Sequence, residues 1–177
     1  GARTHFAETR DARAALAELP VQMTYERAMA NHLVVNPGDY AGALRALPPK
    51  LLSLLVSAFQ SYLFNCALSC RIDEGMSLTE PEVGDRLLFQ DGREDIVTTR
   101  NMRAAQLQIR RGRCRIAIFI PGSGPVVPHG RMDEIMQELM QKEGIDAGDF
   151  ERASRFVEMK FDGVLRPITL STDLQAE

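Results

Sequence analysis

Residues 48–75 read PPKLLSLLVSAFQSYLFNCALSCRIDEG, the densest apolar run in the chain. Leu51, Leu52, Leu54, Leu55, Val56, Ala58, Phe59, Tyr62, Leu63, Phe64, Ala67, Leu68 and Ile72 would place apolar side chains around most of a helix's girth. That pattern predicts a rod inside a core rather than one lying on it. Pro48 and Pro49 suit a first helical turn, where a missing N–H costs nothing, and Gly75 suits the reversal beyond the end. The predicted helix covers about 48–73 and, at 1.5 Å per residue, is roughly 36 Å long. Lys50, Ser53, Ser57, Gln60, Ser61, Asn65, Ser69 and Arg71 interrupt the run too often for a bilayer span, so no membrane partner is expected.

The chain around it has 177 residues, 45% hydrophobic and 25% charged, the composition of a folded domain rather than of a disordered tail. A net charge of -3 gives no global attraction for nucleic acid, so any such role must rest on where the charges sit. Three cysteines, Cys66, Cys70 and Cys114, are too few for a disulfide framework, and no signal peptide precedes them. The expected compartment is therefore the reducing cytoplasm. Gly1 has no preceding Met and runs directly into mid-domain sequence, which suggests a piece of a longer protein.

Working towards the N-terminus, Phe6 to Leu19 carries Ala12, Ala15, Leu16 and Leu19 at helical spacing, closed by Pro20. Thr24 is placed to cap a helix whose residues Arg27 to Val34 include Met29, His32 and Leu33. Asn36-Pro37-Gly38-Asp39 is a turn, and Tyr40 to Leu47 is a short third helix. The first half thus reads as a helical bundle with short connections.

Beyond the long helix the pattern changes. Arg86 to Phe89, a turn at Asp91-Gly92, and a second strand over 94–98 predict a hairpin. Asn101 caps a helix from Met102 to Arg111 whose Met102, Ala105 and Ile109 share an apolar face, with Arg103, Gln106 and Arg110 on another. Residues 113–120 read as a strand entering the core, stopped by Pro121-Gly122-Ser123-Gly124-Pro125. Met132 to Glu143 is amphipathic through Met132, Ile135, Met136, Leu139 and Met140, and Gly144 ends it. A short helix over Asp149 to Ser154 and a closing hairpin of 156–160 with 165–170 about Asp162-Gly163 complete the chain. The fold class is α+β, mostly helical: a bundle about a long helix plus a small antiparallel sheet.

Candidate chemistry is sparse. Cys66 and Cys70 lie one helical turn apart but have no His or further Cys near in sequence to complete a tetrahedral site, so they read as buried thiols. Nothing local brings His5, His32 or His129 to a thiol as a nucleophile pair. The Ser123 turn could offer backbone N–H groups to a phosphate, but it lacks the Lys-Ser/Thr ending of a nucleotide loop and fits a tight structural turn. Gln60, Ser61 and Asn65 are polar intruders expected to bond to neighbouring backbone. Neither metal nor cofactor is called for.

The informative feature is basic. Arg100, Arg103, Arg110, Arg111, Arg113 and Arg115 fall in a sixteen-residue stretch with no Asp or Glu. Guanidinium groups match phosphate oxygens bidentately, so such a segment suits a nucleic-acid backbone. The competing reading is that these arginines pair internally with Asp85, Asp91, Glu94 and Asp95. Both stay open on the cluster alone.

Three stretches carry a resemblance: Tyr40 to Pro48 (YAGALRALP), Ser57 to Asn65 (SAFQSYLFN) and Ile120 to Gly124 (IPGSG). They resemble the TruD family of tRNA pseudouridine synthases in its archaeal form, over essentially the whole chain. The similarity falls on the insertion domain that the family carries within its catalytic domain. The family's Gly-x-Lys-Asp motif, which holds the catalytic aspartate, and its Asn-x-Phe-Gly-x-Gln-Arg-Phe-Gly signature do not occur here. The resemblance therefore implies an isomerase parent that converts a tRNA uridine, uridine 13 in the family, while this chain lacks the nucleophile. It implies residues 1–177 as one insertion domain, with 155–177 returning to the catalytic domain of the same parent chain and tRNA in the cleft between. Arg100, Arg103, Arg110, Arg111 and Arg113 are the expected RNA contacts, with Ser123 near the cleft. A structural brace for the catalytic domain and a free-standing nucleic-acid adaptor are the alternatives.

Overall fold

The computed structural model describes residues 1–124 and 127–170. The chain divides into two compact units, Gly1–Leu55 and the residues from Val56 onward.

The first unit is helical: α1 (Ala2–Thr9), α2 (Ala12–Glu18), α3 (Thr24–Val35), α4 (Tyr40–Arg45) and the opening turns of α5 (Pro49–Asp73). Phe6 to Leu19 is two helices, not one. Arg10 adopts the left-handed conformation at φ 56° and closes α1, and the Asp11 carboxylate accepts from the Arg13 and Ala14 N–H groups to start α2. Helical spacing runs through this break because a cap changes the backbone, not the side-chain pattern. Thr24 is likewise the first residue inside α3 rather than its cap; Met23 holds that position without a side-chain bond. Arg27 donates to the Leu16 and Leu19 carbonyls, satisfying the last turn of α2. Ala12, Leu33 and Ala43 form the buried centre, with Phe6, Met29 and Val34 packed on it.

Helix α5 has the predicted bounds but not the predicted environment. Leu52, Leu63, Phe64 and Ala67 are buried, while Leu54 is 61% and Leu55 50% exposed, and Tyr62 and Ile72 are also exposed. One stripe, not the whole girth, enters the core; an apolar run states what a side chain favours, not what this chain supplies to cover it. By length and composition alone α5 could cross a bilayer. Its polar residues nonetheless act within the second unit: Gln60 donates to the Pro121 carbonyl and Ser61 accepts from Arg166. Asn65, expected to bond to backbone, is exposed.

The second unit holds a four-stranded antiparallel sheet in the order β2-β1-β3-β4, formed by β1 (Arg86–Phe89), β2 (Glu94–Ile96), β3 (Cys114–Ile120) and β4 (Val164–Pro167). Helices α6 (Met102–Arg110), α7 (Arg131–Glu143) and α8 (Ala147–Val157) complete it. The β1–β2 hairpin pairs Leu87 with Asp95, and Gly92 turns it at φ 82°. Met102, Ile109 and Ala105 of α6 pack on Leu87, Cys114 and Ile116. Arg86, which alternates with Leu87 and so points to the other face, binds Asp133 of α7. The sheet therefore has α6 on one side and α7 on the other.

Two expectations for the C-terminal part are overturned. Residues 156–160 form no strand: Asp146 and Asp149 make a reciprocal capping box that launches α8 through Val157, burying Phe150 and Val157 seven positions apart. Strand β4 consequently pairs with β3, with Phe119 opposite Leu165, instead of closing a terminal hairpin. The end of the expected return segment, 171–177, and Pro125 of the glycine-rich turn lie outside the described residues.

Candidate nucleic-acid interface

Helix α6 sorts its residues cleanly. With the Met102, Ala105 and Ile109 face committed to the sheet, Arg103 and Arg110, seven positions apart, project within about 20° of each other on the outside. Asn101 occupies the cap position but bonds backwards: its Oδ1 accepts from the Thr98 N–H and its Nδ2 donates to the Ile96 carbonyl. The turn carrying Arg100 is thereby fixed to the end of β2.

Arg100, Arg103, Arg111 and Arg113 are exposed, and their guanidinium groups have no hydrogen-bond or ion-pair partner among the described residues. Arg110 meets Glu80 at 3.0 Å in an exposed pair, an arrangement worth only about 0–1 kcal/mol and readily exchanged for another anion. Among the described residues, Arg100, Arg103, Arg110, Arg111 and Arg113 make no ion pair with Asp85, Asp91, Glu94 or Asp95. Asp85 is bound by Arg71, Asp91 by Arg93, and Asp95 accepts from the Ile96 N–H. Arg115 separates from the group: it lies on β3 opposite Leu88, on the sheet face away from α6, and is engaged elsewhere.

Ser123 is not part of this surface. Arg113 precedes β3 and Ser123 follows it, so about 23 Å of extended strand lies between them. Its N–H and hydroxyl both donate to the Phe161 carbonyl, at 2.8 and 3.2 Å. Gly122 is pressed so closely to the backbone at 161–163 that a Cβ there would come 2.3 Å from Asp162 C. The turn's polar groups are spent on holding the chain after α8 against the end of β3.

Behind the arginine ridge, an open groove of about 520 Å³ separates α6 from the β1–β2 hairpin. Leu87, Phe89 and Ala105 form its floor, and Gln108, Arg113, Arg93 and Asp95 its rim. The Arg93 guanidinium lies 4.8 Å over the Phe89 ring. Sequence reading missed Phe89, Arg93 and Gln108. The only available signal was the hairpin register, which puts Phe89 beside the turn and opposite Cys114.

The thiols form no centre. Cys66 and Cys70 are free and half-buried on α5, and no group of three metal-ligating side chains occurs among the described residues. Cys114 is buried, and burial, with the Asp95 charge second, pushes its thiol pKa up. His5 and His32 are bonded to Glu18 and Asp39, not to sulfur.

Fold and surface together define an α+β fold in which α6 carries Arg103 and Arg110 on an exposed face. The family model for TruD, tRNA pseudouridine synthase D, matches residues 1–177. A protein described as a probable tRNA pseudouridine synthase D from Methanosarcina acetivorans is 32% identical over 99% of this chain and 41% of its own length. A Halobacterium salinarum protein of the same description is 31% identical over 98% and 42%. The crystal structure of a Methanosarcina mazei TruD protein superposes with a TM-score of 0.80 at 30% identity, covering 94% of this chain and 40% of that one. This chain belongs to the TruD family of tRNA pseudouridine synthases, and it spans about two-fifths of the length of these relatives.

Proposed function

We propose that this chain is an RNA-binding insertion domain of a tRNA pseudouridine synthase, set within a cytoplasmic parent polypeptide whose catalytic domain isomerises a tRNA uridine, the family's position 13. The supporting observation is the segment on and around α6: the guanidiniums of Arg100, Arg103, Arg111 and Arg113 stand exposed without a partner among the described residues, and Arg110 is held by the exposed Glu80. Isomerising a uridine requires its base to leave the stack, and that cost is met by binding energy collected over a wide RNA surface. A lobe bearing unpaired guanidiniums collects it through phosphates. No Asp of this chain is given the nucleophile's role, because the Gly-x-Lys-Asp motif is absent from its sequence. Ser123, committed to Phe161, is left out of the contact set.

The test is the double charge reversal Arg103→Glu with Arg110→Glu, measured as tRNA affinity of the parent polypeptide. Weakened binding is expected; unchanged affinity ends the proposal. The 177-residue chain alone is expected to form no pseudouridine in tRNA, and product from highly purified material would contradict its assignment as non-catalytic.

One observation favours a second role beside the first. Leu54, Leu55, Tyr62 and Ile72 leave apolar surface of α5 exposed, as a brace for another domain would. If bracing is the whole function, the same charge reversal lowers the melting temperature of the parent and spares its RNA affinity.

A further inference from the structure

We propose that the groove between α6 and the β1–β2 hairpin receives a single unpaired nucleotide of the bound RNA, base on the floor and phosphate at the rim. The inference rests on the RNA-binding reading above and extends it to a specific subsite. The groove's volume of about 520 Å³ falls in the range of small-ligand clefts. Leu87 and Ala105, 1% and 5% exposed, close its bottom with apolar atoms but offer little surface themselves, so the contact surface is the half-buried Phe89 with the Arg93 guanidinium 4.8 Å from its ring centroid. A flat heterocycle suits that floor, stacking against an aromatic or guanidinium surface.

The charges decide which end of the nucleotide enters. Asp91 and Asp95 lie in the lining beside Arg93 and Arg113, and Asp91 already pairs with Arg93; the carboxylates attract the N–H donors of a base edge, while the Arg113 guanidinium is left for a phosphate. Gln108 adds an amide that both donates and accepts. Gln90 donates its amide N–H to the Gly112 carbonyl at 2.8 Å, so its oxygen is the part left for a base donor. Arg113, exposed and with its guanidinium unpartnered among the described residues, is a rim residue, and it follows closely on Arg110 and Arg111 at the end of α6. A phosphate attached to the seated base therefore meets positive charge on leaving the groove. A duplex cannot use this site, because its bases are stacked and its outer surface is backbone.

The experiment compares two RNA hairpins, one fully paired and one with a single bulged nucleotide, binding to the 177-residue chain. Gln108→Trp, which fills the groove, should weaken the bulged RNA by about five- to a hundredfold, the value of losing one stacked base, and leave the paired RNA unchanged within about twofold. Independently of whether that variant folds, 4-thiouridine at the bulge should photocrosslink the wild-type chain within residues 87–93 or 104–113. Equal loss for both RNAs in the folded variant, no loss for either, or crosslinks confined to other segments overturns the subsite. Arg103→Glu with Arg110→Glu separates this from the underlying reading: if that variant loses both RNAs while Gln108→Trp loses neither, the groove is wrong and the arginine face stands. If neither variant loses RNA, both proposals fall.

Discussion

Arg71 is 0% and Asp85 4% exposed, and the two form a bidentate ion pair at 2.7 and 2.8 Å. The remaining polar capacity is also used: Arg71 Nε donates to the Ser77 carbonyl at 2.8 Å and the Glu82 N–H donates to Asp85 at 2.9 Å. This joint ties the last turns of α5 to the start of β1, because Asp85 directly precedes the strand and its carbonyl accepts from the Val97 N–H. Arg71→Met leaves a buried carboxylate without its counter-charge, a change that costs about 3–5 kcal/mol. With a urea m-value of about 2 kcal/mol/M, the midpoint falls by about 2 M. Asp85→Asn strands the guanidinium instead and should cost a similar amount. The double variant buries no charge, and the Asn amide can still accept from Glu82, so it should lose several kcal/mol less than the two singles added together. Urea unfolding followed by far-ultraviolet circular dichroism is the assay, the chain having no Trp. A loss below about 1 kcal/mol in Arg71→Met, or strict additivity in the double variant, would refute the reasoning.

Other predictions follow from single contacts. Cys114, 1% exposed with its thiol pKa raised by burial, should resist alkylation in the folded chain while Cys66 and Cys70 react; equal labelling of all three would show that β3 is not covered as described. Gly122→Ala forces a Cβ against backbone that cannot swing aside and should cost about 1–3 kcal/mol; an unchanged melting temperature would contradict the close approach. Asp39 is held below its ordinary value of 3.8 by its hydrogen bond with His32 and by the Gly42 N–H. A carboxylate depressed in the folded state stabilises above its unfolded pKa and loses that contribution as pH falls through the folded value. The stability gap between wild type and Asp39→Asn should therefore close as pH drops below about 4, and a gap independent of pH would show that the charge is not what matters.

The elements that could be read from sequence were those with a local physical cause. Gly92, Gly75 and Gly144 end or turn their segments with positive φ, and of the stripe Met132, Ile135, Met136, Leu139 and Met140 the first three are buried and the last two half-buried. The failures share a different cause. Phe156 and Val157 read as a strand because apolar pairs fit either state, and the deciding feature was the Asp146–Asp149 capping box ten residues upstream. Arg71 read as an interruption of an apolar run; its partner lies fourteen residues away, beyond the range of any periodicity argument. The face shared by Arg103 and Arg110 was legible because α6 is one amphipathic helix. The groove beside it was not, since Phe89, Gln108 and Arg113 come together only when α6 and the hairpin lie on the same sheet.

The most direct test of the RNA role is the salt dependence of tRNA binding. If Arg100, Arg103, Arg111 and Arg113 each displace a counterion, log K should fall with log salt at a slope of about -2.8 to -3.6 for these contacts, and Arg→Ala at each position should reduce the slope by about 0.7–0.9. A slope that the four substitutions leave untouched, with affinity intact and only the melting temperature lowered, would contradict the account and leave a supporting domain in its place.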